Sequence, residues 1–390
     1  MKKVLILTSV ASMIEQFNMP NIALLQGLDA EVHVLTNFKN AGTIPKEKAD
    51  NLKKRLEELG IKTFDVGISR NPFSTMNIKA YKKIKKIVSN ERYDLIHCQS
   101  PIGGFLARIA ASSSRKKGTK IVYTAHGFHF FKGATIKNWL IYYPVEFILS
   151  RFTDCLITMN KEDYTIAQKK LKCNEIKLVN GVGVNLNKFE KQTDENKMKL
   201  RKEYGFERED FLIIYTAELS DRKNQDVLID MMAVENFKIK NAILLLVGKG
   251  EKEKEYKDKI MKLGLEKKVR LLGYREDINN LIMVSDMAVS ASKQEGLPVN
   301  IMEVMATGLP LVVSNCRGNI DLVEDGINGF VVDDNKAEKY ADKILQIYNN
   351  PQIKNEFSNE NLIKAKNYSL DTINKEMRLI YSNMLGSTTR

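Results

Sequence analysis

Short apolar runs of strand length alternate with longer segments of helical period along this 390-residue chain, and that alternation limits the folds open to it. Residues 4–8, 31–36, 62–65, 95–98, 120–124 and 155–158 read as strands, and 211–216, 242–247, 269–272, 287–289 and 311–313 repeat the theme. Strands joined by helix-length crossovers pair in parallel and are covered on both faces, so the chain reads as α/β, with doubly wound parallel sheets. Ligands of such sheets sit at the carboxyl ends of the strands. A chain of this length exceeds one ordinary core, which predicts two domains of similar size. The turn-rich stretch 180–187 marks the junction and gives domains 1–184 and 185–366. Residues 367–390 carry Ile373, Met377, Ile380 and Met384 at helical spacing and read as a terminal helix.

One helix stands apart from the rest, within residues 292–310. Pro298 suits a first helical turn, and Gly308 with Pro310 reads as its stop. Val299, Ile301, Met302, Val304, Met305 and Ala306 cover roughly two-thirds of its circumference, so it is buried on most sides. Only Asn300 and Glu303 interrupt that surface, about 60° apart, and they look out through one window. Glu295 precedes the helix in a glycine-containing turn, close to N–H groups that attract anions. Two carboxylates suit sugar hydroxyls and the amides suit phosphate. A structural helix whose Glu303 is salt-bridged to a lysine would carry the same pattern.

The turn Glu295-Gly296-Leu297-Pro298, followed by Glu303-Val-Met-Ala-Thr-Gly-Leu-Pro310, resembles the signature of retaining glycosyltransferases of family 4. The resemblance extends over almost the whole chain. It implies the GT-B fold, two Rossmann-like domains facing a central cleft, with residues 367–390 crossing back onto the first domain. It also implies that Glu295 contacts the donor sugar and that Glu303 binds the ribose hydroxyls of the nucleotide. Gly296, Leu297, Pro298 and Asn300 complete that donor-binding segment.

Other strand ends carry matching residues. His126, in Thr124-Ala-His-Gly-Phe-His129, follows a strand, and Gly127 permits close backbone approach. A lone histidine at a strand end also serves structural roles; the His-Gly pair resembles the family segment whose histidine meets the donor sugar. In residues 215–225 the family has an arginine and a lysine that neutralise the donor's pyrophosphate. Lys223 matches the lysine, Glu218 fills the arginine position, and Arg222 is the candidate replacement cation. The alternative is that Arg222 and Lys223 merely open a solvated helix. Gly248, in Gly-Lys-Gly, follows a strand and opens a helix, and Tyr274 and Arg275 follow another; family members bind the nucleobase near there. Ser9-Val-Ala-Ser12 stands where the family often has a Gly-Gly turn, which alters the acceptor side.

Charge divides unevenly. Residues 1–185 hold 29 Lys and Arg against 15 Asp and Glu, whereas residues 186–390 hold 32 against 33. The whole excess of +13 therefore belongs to the first half, and it attracts an anionic membrane surface, a nucleic acid or a pyrophosphate-bearing substrate; a solvated surface kept for solubility is the plain alternative. Residues 79–86 (Lys-Ala-Tyr-Lys-Lys-Ile-Lys-Lys) and the aromatic stretch 128–152 lie in that half and suit a membrane interface, although either also fits a buried helix. No run of 18 apolar residues exists, and Lys2-Lys3 before residues 4–7 reads as the start of a first strand rather than a signal peptide. Cys98, Cys155, Cys173 and Cys316 are dispersed, as are the four histidines, which predicts reduced thiols, a cytoplasmic location and no protein-bound metal.

Together these features predict a metal-independent retaining transferase without a cofactor. It moves a hexose or N-acetylhexosamine from a nucleotide sugar, UDP-linked, to a polyprenyl-pyrophosphate-linked sugar in cell-surface polysaccharide assembly. Its partners are those two substrates and the inner membrane surface, with no nucleic acid. The competing readings are a GT-B-fold nucleotide-sugar epimerase and a non-enzymatic basic protein that binds membrane or nucleic acid.

Overall fold

The computed structural model describes residues 1–386. They divide into two units: Met1–Val182 joined by the terminal helix from Ile373 onward, and Gly183–Thr372. The first unit contains β1 (Lys2–Leu7), β2 (Ala30–Thr36), β3 (Lys62–Asp65), β4 (Leu95–Gln99), β5 (Lys120–Ala125), β6 (Cys155–Thr158) and β7 (Glu175–Leu178). They form one parallel sheet in the order β3-β2-β1-β4-β5-β6-β7.

Strand β1 illustrates why the apolar runs are unbroken. Val4 and Ile6 enter one core layer with the helices Ala11–Phe17, Lys46–Glu58 and Leu370–Leu385. Leu5 and Leu7 enter the opposite layer with the helices Met76–Glu91 and Pro101–Ala110. Side chains alternate across a strand, so a strand covered on both faces must be apolar at every position. Ile373, Met377, Ile380, Tyr381 and Leu385 of the terminal helix all belong to the first layer. Tyr381 OH is 2.8 Å from His97 Nδ1, whose Nε2 is 2.8 Å from Thr124 Oγ1.

On the second face a buried ion pair fastens two helices together. The Arg108 guanidinium donates to both carboxylate oxygens of Glu146 at 2.8 and 3.0 Å, donates from Nε to the Gly104 carbonyl, and stacks on Tyr123. Glu146 lies in the helix Ile136–Ser150, so this pair sets how that helix sits against Pro101–Ala110. Bidentate geometry of this kind is what allows two charges to leave water together.

The second unit contains β8 (Phe211–Thr216), β9 (Ala242–Val247), β10 (Val269–Gly273), β11 (Met287–Ser290), β12 (Leu311–Ser314) and β13 (Phe330–Val332). Its parallel sheet runs β10-β9-β8-β11-β12-β13. Asp286 anchors its entrance, accepting from Lys197 Nζ and Arg201 Nη2 at 2.6 Å each and from the Leu212 amide at 2.8 Å. Both sheets reverse their winding direction once, between β1 and β4 and between β8 and β11. Loops leaving those neighbouring strands diverge to opposite faces, which opens a crevice at each reversal.

Candidate active site

In the second unit the loops following β8 and β11 flank the reversal point, and their charged residues meet there. Glu295 is 7% exposed; its Oε1 is ion-paired with Lys223 Nζ and receives Ser292 Oγ, and its Oε2 lies 3.3 Å from Arg222 Nη1. Burial pushes the Glu295 carboxyl up, but the Lys223 and Arg222 cations and the hydrogen bonds outweigh it and hold the group below its ordinary range. Arg222 also donates to the Gln294 carbonyl at 3.1 Å. It therefore stands beside Lys223 on the same carboxylate, while Glu218 is exposed.

The backbone around this trio is held by residues that the sequence reading passed over. Tyr215 OH bonds Ser292 Oγ at 2.7 Å and the Lys223 carbonyl at 3.2 Å, tying the two loops together. The buried Arg317, after β12, donates from Nε to the Glu295 carbonyl at 3.0 Å. Gly318, at φ +83°, passes so near the Gly296 carbonyl that a Cβ there would crowd it. Arg317 lies three residues past the end of β12, and no local pattern singled it out.

The helix begins at Val299, with Pro298 at its N-cap, and stops at Thr307 against Gly308 at φ +76°. Leu297 and Pro298 are buried and Gly296 is half-buried. Asn300 spends an amide hydrogen on the Thr216 carbonyl at 2.9 Å, which locks the helix to the end of β8. Glu303 is half-buried, and among the described residues its carboxylate has no hydrogen-bond or ion-pair partner. Burial pushes its carboxyl up to about 7, against a small opposing pull from Lys188. No lysine bridge of the kind a purely structural role would need is present on it.

Gly248, at φ +146°, lies against the Ala217 carbonyl, and Gly250 against that of Leu219. Any side chain at either position would separate the loop after β9 from the loop after β8. Tyr274 is half-buried. Arg275 is held by Asp277, with Nε 2.8 Å from Oδ1, and Asp277 also accepts from Tyr204 OH. This arginine's charge is therefore already matched within the protein.

In the first unit His126 stands at the end of β5, its Nε2 2.8 Å from Gln99 Oε1 at the end of β4. Gly127, at φ +138°, turns the chain, and the Phe128 amide donates to Asp163 at 2.9 Å. Burial lowers the His126 imidazole to about 4, so it is neutral at ordinary pH. It lines a small pocket with His97, Gln99, Thr124, Asn374 and Met377. At the reversal between β1 and β4, Ser9 Oγ and Ser100 Oγ are 2.6 Å apart. Among the described residues no three His, Cys, Asp or Glu side chains gather as a metal-ligand group.

Comparison with known proteins gives this geometry its context. A family model described as Glycosyl transferases group 1 matches residues 196–364, and one described as Glycosyl transferase 4-like matches residues 3–160. EpsD of Bacillus subtilis (strain 168), named as a glycosyltransferase, is 36% identical over 100% of this chain and 98% of its own length. The UDP-Gal:alpha-D-GlcNAc-diphosphoundecaprenol alpha-1,3-galactosyltransferase of Escherichia coli is 31% identical over 72% of this chain and 73% of its own. The crystal structure of Anabaena Alr3699/HepE in complex with UDP and glucose superposes with a TM-score of 0.78 at 23% identity, covering 98% of this chain and 100% of that one, which fixes the fold as GT-B. The chain belongs to the group 1 glycosyltransferases, its first unit being the 4-like part.

Proposed function

We propose that the protein transfers a hexose or N-acetylhexosamine from a UDP-sugar to a sugar carried on a polyprenyl diphosphate, with retention of anomeric configuration. The observation carrying this reading is the pairing of Lys223 and Arg222 on buried Glu295 at the sheet reversal, eight residues ahead of the unpartnered Glu303. In the resting protein Glu295 neutralises the two cations. When donor binds, the diphosphate takes over that neutralisation, and Glu295 turns its oxygens to sugar hydroxyls.

Glu303 accepts hydrogen bonds from the two ribose hydroxyls, and Gly296 and Leu297, in the turn closed by Pro298, present their amides to the phosphates. Asn300 acts indirectly, by seating the helix on β8. The loop after β9, with Gly248, and the half-buried Tyr274 and Arg275 lie toward the nucleobase. In the first unit, His126 contacts a sugar hydroxyl. The bond from the anomeric carbon to the diphosphate oxygen breaks, the acceptor oxygen bonds to that carbon on the same face, and the acceptor proton passes to the departing diphosphate. Lys223 and Arg222 stabilise the charge that develops there, which is the part a divalent cation plays elsewhere.

The acceptor class is supported by the Escherichia coli relative, whose name specifies a diphosphoundecaprenol-linked sugar, and the UDP donor by the UDP bound to the Anabaena protein. We further propose that the first unit rests on an anionic membrane at the cytoplasmic face. Among the described residues no helix is long and apolar enough to cross a membrane. The aromatic residues that the sequence suggested for this contact instead pack together: Phe130 is buried, and Trp139 and Tyr143 lean on it. The opposite side of that helix exposes Ile136, Leu140, Ile141, Val145 and Ile148, with Leu140 71% exposed. Exposed Phe73, Met76 and Ile78 precede the exposed Lys79, Lys82, Lys83, Lys85 and Lys86. An aliphatic stripe flanked by cations suits shallow insertion among acidic headgroups.

Release of UDP from a panel of UDP-sugars, with and without a polyprenyl-diphosphate-linked sugar, tests the reading. Acceptor-dependent release supports it. Interconversion of UDP-N-acetylglucosamine without acceptor would instead establish an epimerase.

A further inference from the structure

We propose that Asn18 and Gln99 are positioning residues that hold His126 as its Nε2–H tautomer, leaving the Nδ1 lone pair to accept a hydrogen bond from a ligand hydroxyl. The proposal rests on the reading above that His126 meets the sugar.

The argument starts from a main-chain oxygen. The Met13 carbonyl can only accept, and Asn18 Nδ2 lies 2.7 Å from it, so the Asn18 amide nitrogen points that way. Asn18 Oδ1 is left to accept, and it does so from Gln99 Nε2 and, at 3.2 Å, from Asn21 Nδ2. The second hydrogen of Asn18 Nδ2 reaches Gln99 Oε1 at 3.2 Å, which orients both amides in the same sense. Gln99 therefore turns Oε1, not its nitrogen, toward His126 Nε2 at 2.8 Å. That oxygen has nothing to donate, so Nε2 carries the hydrogen.

A neutral imidazole has a single N–H, and Nδ1 is then an acceptor. Among the described residues nothing bonds to Nδ1, and the Phe17 ring stands 5.9 Å from the imidazole. Asn18 is 0% and Gln99 2% exposed, so neither amide can reverse and recover its partners from water. The chain of constraint thus runs from a helix carbonyl through two buried amides to one ring nitrogen. It selects for a ligand group that donates and against one that only accepts.

Nitrogen-15 NMR of the full chain labelled at histidine tests the tautomer without any ligand, with His126 assigned by the signals lost in His126→Asn. A pyrrole-type Nε2 and a pyridine-type Nδ1 are expected at neutral pH; a protonated Nδ1, or an even mixture, would overturn the network. Gln99→Met should shift the ring toward a mixture and lower kcat/KM for UDP release by about tenfold, the worth of one hydrogen bond, whereas Gln99→Glu, which still accepts from Nε2, should restore the tautomer. His126→Asn places an oxygen where Nδ1 was and should keep about tenfold more kcat/KM than His126→Gln, whose oxygen falls at Nε2. The reverse ranking would overturn the assignment of Nδ1 as the working atom. The expected tautomer together with unaltered kinetics in His126→Gln would sink the sugar contact assumed above, while leaving Asn18 and Gln99 as the groups that set the ring.

Discussion

Replacing Glu303 by Gln should move stability and nucleotide affinity in opposite directions. Burial raises the Glu303 carboxyl from 4.5 to about 7 with only the Lys188 charge pulling against it. At about 1.4 kcal/mol per pKa unit, keeping this group ionised costs the folded state at most about 3 kcal/mol. Its partial exposure reduces that to about 1–2 kcal/mol. The folded carboxyl binds its proton more tightly than the unfolded one, so the cost is absent below the unfolded pKa, accrues as pH rises and is complete above about 7. Glutamine never ionises, so Glu303→Gln should resist urea better than wild type by about 1–2 kcal/mol at pH 8, with the advantage gone near pH 4.5. Hydrogen exchange in the helix Val299–Thr307 should report the same gain locally. Binding responds the other way. Losing charge-assisted bonds to two ribose hydroxyls costs about 1.5–3 kcal/mol, or roughly tenfold to a hundredfold in UDP affinity by calorimetry. A variant less stable than wild type at pH 8 would mean that the carboxylate has a stabilising partner, and unchanged UDP affinity would remove the ribose role.

Lys223→Ala leaves buried Glu295 with Arg222 alone and should destabilise the second unit by about 3 kcal/mol while lowering both UDP-sugar affinity and kcat; normal turnover would refute the diphosphate role. Glu146→Ala strands the Arg108 charge inside the first unit and should cost about 3–5 kcal/mol in urea unfolding, so a loss under about 1 kcal/mol would refute the buried-pair account. Chelation of divalent cations should leave UDP release intact, and loss restored by added magnesium would overturn the metal-free mechanism. The double variant Leu140→Asp, Ile148→Asp should stop co-flotation with acidic vesicles at low salt without changing UDP affinity; persistent flotation would move the membrane contact elsewhere.

Most strands that could be read from sequence have apolar runs that are continuous because both faces are covered, as with Val4–Leu7. The two that escaped, β7 and β13, are outer strands of four and three residues, and β7 is half exposed along its length. β7 lacks the double burial that makes the pattern visible and β13 is too short to show it, whereas the outer strands β3 and β10 were read. The helix around Glu303 was legible because Pro298, Gly308 and its apolar circumference are local signals. Arg317, Tyr215 and Ser292 were not, because their importance comes from three loops converging on Glu295 and no spacing records that. Which side of the helix Ile136–Ser150 stays exposed was not legible for a related reason. Composition reveals that the helix Ile136–Ser150 is rich in aromatics but not that Phe130 draws them inward, leaving the aliphatic side outermost.

The terminal helix gives the chain a peculiar order of birth. Its residues Ile373, Met377 and Tyr381 complete the core of a unit whose sheet is made of the first 180 or so residues, and His97 finds its phenolic partner only there. On the ribosome, the unit begun first must wait for a helix made after the whole second unit, with an apolar groove along one layer open until then. A stop codon ahead of Ile373 would therefore injure the oldest part of the protein, not the newest.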